Sequence, residues 1–165
     1  MNTQEITGTL GTLFRELVHG TAKSGGFMLN GGDEGLLRSL DKLSAAQASA
    51  PTLTGSSIAA HVDHVRYGLS LMNRWAQGEN PFGSANWAAS WQKTTVADAE
   101  WTRLRAELRD EAARWLDALE RPRDTDADGL AGMFGSIAHL GYHLGAIRQI
   151  DQSARGPAEL ARPAR

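Results

Sequence analysis

Two of the five histidines in this chain, His139 and His143, stand four residues apart in the apolar stretch SIAHLGYHLGAIRQ, from Ser136 to Gln149. Two more, His61 and His64, lie three apart in SIAAHVDHVRYG, from Ser57 to Gly68. Neutral imidazole is a good ligand for zinc, nickel, copper or iron. On a helix, residues four apart share a face, with Cβ atoms about 5–6 Å from one another, so His139 and His143 can turn toward one ion. Two ligands make a weak site, and either His61 or His64 could complete a set of three. Three protein ligands leave a coordination position for water or substrate, which separates a catalytic site from a closed structural one. Water held there becomes acidic enough to react near neutral pH, or a substrate oxygen or sulfur takes its place. Asp63 is available nearby as an acid, a base or a group that orients a ligand. The chain has no cysteine, so any metal must be held by nitrogen or oxygen.

Other chemistries lack their residues. Position 140 is leucine, so HLGYH has no glutamate base of the kind that the zinc peptidase motif His-Glu-x-x-His requires. No glutamate stands three residues before His61, His64, His139 or His143, which removes the paired Glu-x-x-His motifs of di-iron bundles. His19, followed by Gly20, reads as the end of a helix and carries no assigned role. Formal charge is -2 with no basic cluster, so neither nucleic acid nor an anionic membrane is expected as a partner. No apolar run reaches the roughly 18 residues that cross a bilayer, and MNTQEITGTL lacks the basic and apolar regions of a secretion signal. A cytoplasmic location is expected.

Four helices must position these side chains. Ile6, Leu10, Leu13 and Leu17 mark the first, ending near His19 and Gly20. Ile58, Val62, Val65, Leu69, Met72 and Ala76 mark the second, with Thr54, Ser56 and Ser57 as capping candidates. Trp101, Leu104, Leu108, Ala112, Trp115 and Leu119 mark the third, opened by Thr95 and ended before Pro122. Leu130, Met133, Ile137, Leu140, Leu144 and Ile147 mark the fourth, entered through Asp126 or Asp128. Leu36, Leu37, Leu40 and Leu43 predict one further short helix. The pattern predicts an all-α four-helix bundle domain over residues 1–155, with a mobile tail at 156–165. Trp75, Trp101 and Trp115 are expected in the core. The long connection between the second and third helices carries Trp87 and Trp91, which should cover something. With Arg66 and Tyr67 they are candidates for a substrate pocket.

The opening SIAAHVDH, the aromatic connection after it and HLGYHLGAIRQ together resemble the DinB/YfiT-like superfamily of small four-helix bundles, regarded as metal-dependent enzymes. The resemblance runs from the first helix to Gln149. It implies one divalent ion, usually zinc or nickel, bound by a histidine of the second helix and by His139 and His143. Counting from Ile58, the family position selects His64 and leaves His61 as a reserve ligand or orienting partner, although simple periodicity sets His61 closer to the apolar stripe. Ala146 departs from the glutamine that relatives often carry after the second histidine of the pair. The resemblance also implies a transferase or hydrolase-like activity, most concretely an S-transferase or isomerase using a low-molecular-weight thiol on a small-molecule substrate, and a homodimer. The contrasting expectation is a non-catalytic bundle that binds metal structurally or not at all and works through dimerisation or partner binding.

Overall fold

A computed structural model describes residues 3–157 apart from Thr54; that capping candidate and nearly all of the tail predicted to be mobile lie outside the described residues. Four long helices form the bundle. Helix α1 (Thr3–His19) buries Leu10, Phe14, Leu17 and Val18, spaced by four and three so that they fall on one face. It stops at Gly20, whose φ of +89° is open to glycine without strain and whose N–H donates to the Glu16 carbonyl at 2.8 Å. Two short helices follow, α2 (Gly35–Asp41) and α3 (Ala45–Ala48), where one was predicted. The second exists because Ser44 and Gln47 form a reciprocal capping box, which starts a new helix after the buried Leu43 instead of extending the old one.

Helix α4 (Ile58–Ala76) opens at Ser57, whose side chain accepts the Ala60 N–H. Helix α5 (Asp98–Glu120) starts without the predicted Thr95 cap: its capping position is Ala97, with no side-chain bond. The segment before it is pinned elsewhere, because Ser57 Oγ donates to the Thr94 carbonyl and the Val96 N–H donates to Ser49 Oγ. Helix α6 (Ala127–Ile150) is capped by Asp126, which accepts the Gly129 N–H at 2.8 Å, so Asp126 and not Asp128 is its entry. Both α1 and α4 pack against α5 and α6, and the described residues contain no strand. Trp115 is fully buried and donates to Ser136 Oγ, while Trp101 donates to the Leu43 carbonyl; both are core residues, as expected.

The glycine-rich loop after α1 is held by a residue that periodicity does not single out. Glu16 is buried, and its carboxylate accepts the N–H groups of Phe27, Met28 and Leu29 at 2.9, 2.6 and 2.6 Å. Charge-assisted bonds of this kind give the loop a fixed path despite its glycines. Glu16→Ala removes all three acceptors at once and is expected to destabilise the protein by about 2 kcal/mol, read as a lower urea midpoint; an unchanged midpoint would mean that the loop contributes nothing to the fold.

Candidate metal centre

The i, i+4 spacing of His139 and His143 on α6 brings their ring centroids to 4.5 Å, with their Nε2 atoms 3.0 Å apart. Packing of α6 on α4 adds His64, whose Nε2 lies 3.1 Å from that of His139. Each of the three residues offers a ring nitrogen within 4.8 Å of the other two. Nitrogens bound to one tetrahedral ion at 2.0–2.1 Å would stand about 3.3 Å apart, so the donors are gathered at nearly the separation that a shared ion needs. His143 and His64 are buried, whereas His139 is half-buried, which leaves the cluster accessible from the His139 side.

Protonation favours ligation. Burial, followed by the neighbouring His139 and His61 rings, pushes His64 down to about 4. Burial and the other three imidazoles push His143 down to about 3. Burial likewise lowers His61 and His139. At neutral pH His64 and His143 are therefore uncharged and keep a lone pair for a cation.

The hydrogen bonds of Ser90 determine which nitrogen of His64 carries that lone pair. Ser90 Oγ donates its one proton to the Trp87 carbonyl at 2.7 Å, so it accepts from His64 Nδ1, also at 2.7 Å. His64 Nε2 is thereby unprotonated and turned to the cluster. His61 Nδ1 stands 2.8 Å from His143 Nδ1, and a proton donated by His143 across that contact leaves its own Nε2 free. His61 thus supports His143 while His64 joins the cluster. In the sequence Ser90 carries no signal beyond its place between Trp87 and Trp91. Ser90→Ala is expected to weaken zinc binding about tenfold with the fold intact, measured by competition with a chromophoric chelator. An unchanged affinity would mean that Ser90 does not orient His64.

The remaining candidates divide. Trp91 stacks on His64 at 4.2 Å between centroids and meets His61 edge-on at 5.2 Å, covering the cluster as its position in the loop suggested. It sits in a single 3₁₀ turn (Ala89–Trp91) that packs on α4. Trp87 approaches His64 at 5.5 Å. Tyr67 braces Trp87 edge-on and accepts the Asn86 N–H, so it supports the loop. Asp63 and Arg66 are directed elsewhere: Arg66 pairs with Asp63 at 2.8 Å and approaches Glu107 of α5 at 3.6 Å. His19 is exposed at the end of α1.

A cavity of about 200 Å³, open to solvent, adjoins the cluster, lined by α4 and α6 residues that include His139 and by the partly exposed Trp87 and Phe82. No helix among the described residues is long and apolar enough to cross a membrane. No curated protein and no solved structure matches the chain. The pattern of the DinB superfamily does match, over residues 32–147, which takes in the entire histidine cluster and more than two thirds of the sequence. The chain belongs to the DinB superfamily.

Proposed function

We propose that this protein is a divalent-metal-dependent enzyme whose ion, zinc or nickel, is held by His64, His139 and His143 and is open to substrate on the His139 side. The observation that carries the reading is the convergence of three imidazole nitrogens, two of them fixed in orientation by Ser90 and His61. Three nitrogen donors with one accessible side suit a resident ion that takes part in chemistry better than a closed structural site. Such an ion supplies Lewis acidity, which stabilises a thiolate or an oxyanion near neutral pH.

The reaction we favour is transfer or isomerisation dependent on a low-molecular-weight thiol such as mycothiol, bacillithiol or glutathione, in the cytoplasm. The chain has no cysteine, so the sulfur nucleophile must arrive with the small molecule. In a transfer, sulfur bonds to an electrophilic carbon while the bond from that carbon to its leaving group breaks, and the leaving group departs with the electron pair. The protein's part is to orient both reactants beside His139 and, through Trp91 and Trp87, to limit access of water.

The test is to strip the protein with a chelator, reload it with zinc or nickel, and follow thiol consumption with each of the three thiols and a panel of electrophiles. Activity that disappears on stripping and returns on reloading supports the reading. A fully loaded protein that turns over none of the thiols would retire the thiol chemistry.

A further inference from the structure

The cavity beside His139 contains space that neither the backbone nor the packing requires. Three of its wall positions are helical glycines, Gly68 of α4 and Gly132 and Gly135 of α6, and none has a positive φ. Glycine inside a helix costs roughly 0.5–1 kcal/mol relative to alanine. A Cβ at Gly68 would meet the Trp87 and His139 rings at 3.6 Å, one at Gly132 would meet Met72 Cε at 3.8 Å, and one at Gly135 would meet nothing within 4 Å. Those are ordinary contacts, so alanine fits at all three positions. What the glycines provide is room.

The walls define what can occupy it. Val65, Leu69, Met72 and Leu140 contribute apolar surface, and no charged residue lines the cavity. Ser136 is already engaged, donating to the Met133 carbonyl and accepting from Trp115 Nε1. An ion set against these walls would find no charged partner, which disfavours this side of the centre for the charged parts of a thiol cofactor. The volume of about 200 Å³, open to solvent beside the exposed Gly135, is of the size of the ~150 Å³ enclosed apolar cavity known to admit benzene. His139 belongs both to the cavity wall and to the histidine cluster.

Resting on the metal-centre reading above, we infer that this cavity holds the uncharged apolar part of the substrate, an aryl or alkyl group about the size of a substituted benzene ring, with the substrate's polar end at the three histidines. The substrate is then a small amphiphile, and Gly68, Gly132 and Gly135 set the size of its apolar group.

Two probes test this by calorimetric titration, each into metal-free and zinc-loaded protein: toluene, and benzyl mercaptan, which adds a sulfur. Toluene should bind both forms with similar affinity. Benzyl mercaptan should bind at least about tenfold tighter than toluene to the zinc form only. Gly132→Leu, with folding checked by circular dichroism, should weaken both probes at least about tenfold while zinc stoichiometry stays at the wild-type value. Wild-type protein that takes up zinc but binds neither probe overturns the cavity assignment alone, as does a folded Gly132→Leu variant that binds both probes like wild type. Toluene binding in a protein that takes up no zinc contradicts the metal centre, and the amphiphile falls with it.

Discussion

His143→Ala should weaken zinc binding by more than about 100-fold, beyond what loss of an orienting partner usually causes. His143 is 1% exposed and contributes twice to the centre, offering Nε2 beside His139 and contacting His61 through Nδ1. Alanine removes a donor and leaves a pair of nitrogens, His64 Nε2 and His139 Nε2, which is too few for a tight site. His61→Ala should be milder, about 10- to 100-fold, because it removes the partner of a ligand and not a ligand. Chelator competition on the two variants and wild type measures the difference. Equal losses would mean that His61 binds the ion directly, and no loss in His143→Ala would remove it from the centre.

The second large effect concerns stability. Asp33 and Arg148 form a bidentate pair, with Arg148 donating to the two carboxylate oxygens at 2.8 and 2.7 Å, and the Asp33 side chain is 4% exposed. The pair joins the loop before α2 to the last helix. Burial alone would raise the Asp33 carboxyl; the Arg148 hydrogen bonds, the Gly35 N–H and the charges of Arg148 and Lys42 outweigh it and hold the group below its ordinary value. Its folded value is therefore depressed relative to the unfolded one. The stabilisation is fully present above the unfolded carboxyl value of about 3.9 and is lost as pH falls through the folded value. Asp33→Ala leaves a mostly buried guanidinium without its partner and should cost about 3 kcal/mol at pH near 7. Urea unfolding at neutral and acidic pH should show the gap between variant and wild type narrowing below about pH 4. A gap that is constant with pH would show that the loss does not come from the ionised pair.

The four long helices were legible because apolar residues at intervals of three and four carry the bundle seam directly. The i, i+4 pair His139 and His143 was legible for the same reason: local helix geometry alone places both rings on one face. Periodicity sets His61 closer to the stripe of α4 and the family position selects His64, and burial does not decide between them, since both are 7% exposed. The docking of α6 separates them, turning His64 to His139 and His61 to the far nitrogen of His143. Ser90, Glu16 and the Asp33–Arg148 pair were not legible at all. Each acts through a partner from another element, 26 residues away for Ser90 and His64 and 115 for Asp33 and Arg148. A polar residue has no periodic signal to mark its partner, whether it lies in a connection, as Ser90 and Asp33 do, or on a helix, as Glu16 and Arg148 do. The second short helix depended on a local capping box, which a search for apolar periodicity passes over.

His64, His139 and His143 are expected to share one divalent ion. Elemental mass spectrometry on protein purified without a histidine tag tests it directly, comparing wild type with separate His61→Ala, His64→Ala, His139→Ala and His143→Ala variants shown to be folded. The expected result is about one zinc or nickel per wild-type chain, lost in the His64, His139 and His143 variants and kept at saturating metal in His61→Ala. Folded wild-type protein that holds no metal after reconstitution with zinc or nickel would contradict it.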